Sequence, residues 1–193
     1  MIYTYIPYSP KDKPGNLGWA YKNFMKMVPN DDDWVCFLDH DATFTTPGWY
    51  GQLEDIIEKH PEYQAFTCMM NRVGQKYHVP NGVDRDNHDI RYHRAIGKQL
   101  SDSYYDQITS LNNVNGQYLS GVLILIQKKA WKAIGECPDG FLGVDNEIHR
   151  RCVVNGIGVG RMDGVYLYHW YRAGGREHVN KAMSHHPHAL GRK

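Results

Sequence analysis

Hydrophobic positions along the chain follow two rhythms. Residues 2–6, 34–38, 64–70, 118–126, 157–161 and 165–169 are short apolar runs rich in aromatic and β-branched residues, with the length and composition of strands. Between them, apolar residues recur at helical spacing. Leu17, Ala20, Tyr21, Phe24 and Met27 or Val28 follow Asn16, which predicts a capped amphipathic helix ended by Pro29-Asn30. Thr46 and Pro47 predict the N-cap and first-turn proline of a second helix running to about Lys59 and burying Leu53, Ile56 and Ile57. Residues 128–134 predict a short helix. Residues 144–154 predict a longer one, led by acids, closed by arginines and ended at Asn155-Gly156. Together these elements predict an α/β fold, a central mixed and mostly parallel sheet flanked by helices.

The rhythm weakens over residues 71–117, where glycine, asparagine and aspartate crowd between charged and aromatic residues. This predicts a variable insertion. Its Tyr77, His78, His88, Tyr92, His93, Tyr104 and Tyr105 are candidates for choosing a second substrate, since loops on a rigid scaffold often bind ligands. A solvated loop with a short helix accounts for the same residues equally well. Residues 172–193, rich in glycine, arginine and histidine, predict a mobile loop and tail; His178, His185, His186 and His188 there are given no metal role.

Composition narrows the classes. A chain of 193 residues with 41% hydrophobic content suits one domain with one good core. A formal charge of +1 lacks the basic footprint of a nucleic-acid binder. No apolar stretch is long enough to span a bilayer, and the amino terminus enters the first run with no signal-peptide pattern, so a cytosolic protein is expected. Cys36, Cys68, Cys137 and Cys152 are far apart in sequence and read as reduced, mostly buried thiols. Asp31, Asp32 and Asp33 read as a solvated acidic turn.

Chemistry concentrates where the run Trp34–Leu38 stops at Asp39-His40-Asp41. Ligands of open α/β sheets bind beyond the carboxyl ends of strands. Two carboxylates there are costly to desolvate without a cation or hydrogen-bonding ligand, and their oxygens suit Mg²⁺ or Mn²⁺. In isolation the same pair reads as the cap of a turn. Further along, Ser120-Gly121 allows close approach of backbone to a ligand, and Asp145 reads by itself as an N-terminal helix acid.

Three segments taken together resemble the inverting family 2 glycosyltransferases of the GT-A (Rossmann-like) fold, over most of the chain outside residues 71–117. The first is Asn16-x-Gly18-x-Ala20-x-x-Asn23 followed by Phe37-Leu38-Asp39-His40-Asp41. The second runs from Gly121 through Lys128-Lys129-Ala130-Trp131, Ile134-Gly135, Gly140-Phe141 and Gly143-x-Asp145 to Arg151 and Gly156. The third is Tyr168-His169-Trp170. The resemblance implies a single-domain enzyme that moves a sugar from a nucleoside-diphosphate-sugar of UDP or GDP type to a glycan, lipid or protein hydroxyl. Asp41 and His169 would hold Mn²⁺ or Mg²⁺, with Asp39 on the donor sugar or the metal. Asn16, His40 and Gly121 would line the donor site, Pro7, Tyr8 and Ser9 the nucleobase, and Arg172 and Arg176 the phosphates. Asp145 would be the base, with Glu147 the second choice because Val144 stands where the family has a glutamate. A further departure is that residues 10–15 join the first strand directly to the asparagine-bearing helix. Competing expectations are a nucleotidyltransferase or phosphoesterase built on Asp39 and Asp41, and a non-catalytic nucleotide- or glycan-binding module.

Overall fold

The computed structural model describes residues 1–112, 116–135 and 137–170. Its elements in chain order are β1 (Ile2–Tyr5), α1 (Leu17–Met25), β2 (Trp34–Leu38), β3 (Ala42–Phe44), α2 (Trp49–Lys59), β4 (Tyr63–Met70), a 3₁₀ turn (Lys76–His78), α3 (Ile90–Tyr104), β5 (Ile108–Ser110), β6 (Leu123–Gln127), α4 (Lys128–Ala133), α5 (Val144–Val154) and β7 (Gly158–His169). The strands form one open mixed sheet in the order β1-β2-β6-β4-β7-β3, with β5 also on β7. β1 is parallel to β2 and β4 to β7, while β6, β3 and β5 run against their neighbours. The expected α/β architecture with a mixed sheet is therefore present, and it agrees with a single Rossmann-like domain, but four of the six strand pairings are antiparallel, so the sheet is not mostly parallel. Among the described residues no helix is long and apolar enough to cross a membrane.

Period-2 alternation sends the side chains of β2 into two cores. Val35 and Phe37 pack with Tyr21, Trp131 and Ile148 on the α1, α4 and α5 face; Trp34, Cys36 and Leu38 pack with Leu53, Ile56 and Phe66 on the α2 face. All five β2 residues are buried, which is why the sequence shows an unbroken apolar run. Asn16 caps α1, accepting from Trp19 N at 2.9 Å. All four cysteines are buried, and none forms a disulfide among the described residues.

The sheet has to curl. β3 starts four residues after β2 ends, yet stands four places from it in the sheet. In a flat sheet that is about 19 Å, whereas four residues of chain reach at most about 14 Å. The bend lies in β7, where Met162 pairs with Cys68 but Tyr166 with Met69, leaving Asp163, Gly164 and Val165 as a bulge. The two expected strands at residues 157–161 and 165–169 are thus one bent strand. β5 pairs with its first half and β3 with its second.

Three further expectations are corrected. The second helix starts at Trp49, after Gly48 at φ 65°, because Thr45 and Thr46 are taken up by β7: Thr45 N donates to Tyr166 O at 3.2 Å and Tyr166 N to Thr46 Oγ1 at 2.8 Å. The region 71–117 carries a 15-residue helix, α3, not merely a loop with a short one. The residues it buries are His93 and Gly97, and a histidine and a glycine at those positions hide its helical period. Asp33 is buried instead of solvated and accepts from Asn30 Nδ2 at 2.8 Å.

At Gly97 a Cβ would stand 2.8 Å from the backbone of Thr45 and Thr46, so α3 lies directly on the segment that joins β3 to α2. Gly97→Val is expected to lower the unfolding free energy by about 1–3 kcal/mol through overpacking. Gly51→Ala, in α2 with open space around it, should raise it by about 0.5 kcal/mol. Urea denaturation of both variants checks the pair.

Candidate metal and acid-base site

At the carboxyl end of β2, Asp39 N donates to Val122 O at 3.0 Å and Ala42 N to Asp39 O at 3.1 Å. This turn points two carboxylates the same way and delivers the chain to β3. Ala42 then pairs with His169, and Trp170 N donates to Asp41 O at 2.9 Å. As a result His169 Nε2 lies 3.1 Å from Asp41 Oδ1 and 3.9 Å from Asp39 Oδ2. One donor atom from each of the three falls within 4.8 Å of the others.

The imidazole is set from behind. His169 N donates to Asn71 Oδ1 at 2.7 Å, and Nδ1 lies 2.8 Å from Arg72 O. A carbonyl only accepts, so Nδ1 carries the proton there, and Nε2 of the neutral ring turns a lone pair toward the carboxylates. Such a contact wants a cation between its partners, whether a proton or a metal ion. A backbone carbonyl behind a ligating histidine is a common supporting arrangement at metal centres. Two oxygens and one nitrogen suit a divalent cation, Mn²⁺ ahead of Mg²⁺.

Electrostatics separate the two aspartates. Burial pushes Asp39 up to about 6, with the nearby His169 pulling it down and Asp41 adding to the rise. Partial burial also works against Asp41, but the His169 hydrogen bond and charge outweigh it and hold that carboxyl below its ordinary value.

The facing wall is residues 118–122, expected as the start of a strand but lying outside β6. Their backbone N–H groups are taken by side chains from elsewhere: Tyr118 N by the Tyr77 hydroxyl, Leu119 N by His149 Nδ1 at 3.2 Å, Ser120 N by Thr67 Oγ1 at 3.3 Å and Gly121 N by Asp145 Oδ2 at 3.1 Å. Val122 N completes the set on Ser120 Oγ at 3.3 Å. Buried backbone donors need partners, and this strap finds them in side chains where a strand would use a ladder. A Cβ on Gly121 would sit 3.3 Å from the Asp145 carboxylate, so glycine lets the acid reach the backbone.

Asp145 is the second residue of α5, and its Oδ1 accepts from Asn146 N at 2.9 Å. Burial raises its pKa despite that bond and the one from Gly121. The Tyr21 hydroxyl donates to Gly121 O at 3.5 Å; burial, then the charges of Asp39 and Asp145, push its pKa well up. Asp145 also lies near enough to Asp39 for its charge to add to the rise there. Glu147 differs, because Arg150 Nε at 2.8 Å and Arg151 Nε at 2.7 Å bind it. Those two bonds bring it down to about 2 and leave it a poor proton acceptor.

Other candidates are placed differently. Asn16 Oδ1 is engaged by Trp19 N and by Gly140 N at 3.0 Å, joining α1 to the loop before α5. His40 is exposed in the turn between the aspartates. Pro7, Tyr8 and Ser9 follow β1, with the exposed Tyr8 ring edge-on to Phe24 at 5.5 Å. Arg172, Arg176 and the terminal histidines lie outside the described residues. Of the insertion's rings, His78 and His93 are fully buried, His93 Nδ1 meeting the Tyr166 hydroxyl at 2.9 Å. His88 Nδ1 meets the Tyr168 hydroxyl at 2.8 Å and Tyr105 donates to Asp55 at 2.7 Å. His88 and His93 thus join the insertion to β7, Tyr77 and His78 join it to Tyr118, and Tyr104 stays substantially exposed. Sequence reasoning missed Asn71, Thr67 and His149. Only His149, one turn beyond Asp145 on α5, carried a signal in its spacing.

Burial pushes His78 and His149 down from 6.5 to about 4. Leu119 N donates to His149 Nδ1 and His78 Nε2 lies 2.9 Å from Tyr118 O, so both rings serve the strap in the neutral form. The unfolded chain takes up these protons first as pH falls. Their contribution is complete above about 6.5 and is lost toward pH 4, on the order of 3 kcal/mol for each ring. His149→Asn, whose amide oxygen can still accept from Leu119 N, is expected to flatten part of that loss. Unfolding free energies of the two proteins at pH 7 and pH 5 check it.

No protein-family model matches the chain, and no curated protein matches it.

Proposed function

We propose that this chain is a divalent-metal-dependent glycosyltransferase of GT-A type, similar to the inverting family 2 enzymes. In this reading it moves a sugar from a nucleoside-diphosphate-sugar to an acceptor hydroxyl. One observation carries the reading: a three-residue candidate ligand set and a separate carboxyl of raised pKa lie near one another beyond the carboxyl end of β2, joined through residues 121 and 122. Sugar transfer needs both, since negative charge grows on the departing diphosphate while the acceptor hydroxyl gives up a proton.

Asp41 and His169 bind the cation, with Asp39 as its third ligand or as the group that orients the donor sugar. Bound there, a divalent cation supplies Lewis-acid stabilisation of the diphosphate, worth several kcal/mol. Asp145 keeps an unused lone pair on each oxygen beyond its two backbone bonds, and its raised pKa suits it to receive the acceptor proton. The acceptor oxygen bonds the anomeric carbon as the bond to the diphosphate oxygen breaks. A single displacement of this kind inverts the anomeric centre. Among the described residues there is one such ligand cluster, whereas two-metal phosphoryl chemistry wants a second set of carboxylates. The buried cysteines, none of them in a disulfide among the described residues, fit the reducing cytosol to which we assign the chain.

Thermal unfolding with UDP or GDP, in Mn²⁺, Mg²⁺ or EDTA, tests the reading. One nucleotide is expected to stabilise the protein in the presence of metal, by about 2.7 kcal/mol at a hundredfold excess over Kd. Asp41→Asn and His169→Gln should remove that shift. Asp145→Asn should keep it while sugar transfer falls by roughly 10²–10⁴. The absence of any metal-dependent shift with every nucleoside diphosphate would sink the proposal.

A further inference from the structure

A concavity lies between α3 and the bulge of β7, lined also by residues 80 and 81 that follow the Lys76–His78 turn. Its volume is about 390 Å³, within the range of roughly 300–1,000 Å³ typical of small-molecule sites. Met69 and the exposed ring of Tyr104 form an apolar wall. Asn81 and Gln99 bring side-chain amides, both exposed and neither hydrogen-bonded within the described residues. Arg161 and Asp163 complete the lining and are anchored. Arg161 Nε donates to Asp163 Oδ1 at 2.7 Å, Nη2 to Thr109 Oγ1 at 3.1 Å and Nη1 to Tyr77 O, while Thr109 Oγ1 donates to Asp163 Oδ2 at 2.6 Å.

The chemistry of this lining selects a class of guest. The arginine charge is cancelled by its own aspartate, so the concavity lacks the net positive charge that a phosphate would need. Amides beside an apolar wall are wasted on a hydrocarbon chain, because their desolvation would go uncompensated. A neutral ring with C–H bonds on its face and hydroxyls on its edge satisfies both surfaces. The ring lies against Tyr104 and Met69, and neighbouring hydroxyls bond the planar amide and guanidinium groups.

We infer that this concavity is a binding site for a neutral saccharide. Its position gives the site a role. Met69 is two residues before Asn71, which holds His169, and Tyr77 links Arg161 to the strap whose Gly121 N donates to Asp145. Resting on the transferase reading, the saccharide is the acceptor or the part of it that anchors the reacting hydroxyl. The insertion, which supplies Asn81, Gln99 and Tyr104, then sets acceptor choice.

Saturation-transfer NMR with the unmodified protein tests the site, using as probes the methyl glycosides of glucose, galactose, mannose and N-acetylglucosamine together with lactose and cellobiose. At least one is expected to bind equally with Mn²⁺ and with EDTA. Asn81→Ala, Gln99→Ala and Tyr104→Ala, all at exposed positions, should each weaken it roughly two- to tenfold with the thermal midpoint unchanged. Failure of every probe near its solubility limit overturns the inference, as does binding that none of the three substitutions alters. Retained saccharide binding in a protein that shows no metal-dependent nucleotide shift would remove the transferase reading and leave this site standing.

Discussion

Pairing of Ala42–Phe44 with the end of β7 is the contact on which the candidate site depends. It joins residues 128 apart in sequence, Asp41 and His169, through a ladder only three residues long. So short a ladder cannot by itself offset the closure of so long a loop. It is supported by the buried hydroxyls of Thr45 and Thr46 on the Tyr166 backbone and by α3 pressed against the same segment at Gly97. The bulge at Asp163, Gly164 and Val165 bends β7 far enough for the ladder to form. Packing away from the candidate site thus determines whether Asp41 and His169 meet.

The opposite wall uses a different device. Residues 118–122 run as irregular backbone with their N–H groups held by side chains of β4, α5 and the insertion. Irregular backbone lets Gly121 approach Asp145 closely, and burial then raises the pKa of that acid. On the other side, His169 lowers the pKa of Asp41 while Asp39 is raised. Asp39 and Asp41, two positions apart in the turn between β2 and β3, thus differ in their tendency to hold a proton.

Much of this was legible along the chain. The fully apolar β2 run, its stop at two aspartates, the Asn16 cap and the polarity of α5 each rest on local physics, and each is present in the fold. Misreadings share one cause. Thr46-Pro47 looks like a helix start, but β7 claims Thr46; α3 hides because His93 and Gly97 occupy its packing stripe; residues 118–121 have strand composition but no strand partner. In every case a partner distant in sequence overrode a local preference.

Spacing and residue type by themselves determined β2, α1 and α5 and the place where two carboxylates leave the sheet, because capping, periodicity and burial act within a few residues. Only the tertiary structure decided that Asn71 and Arg72 orient His169, that Glu147 is taken by arginines while Asp145 is not, and that the insertion's histidines are structural. Hydrogen-bond partners and desolvation depend on what the folded chain brings within a few ångströms, and no local pattern encodes that.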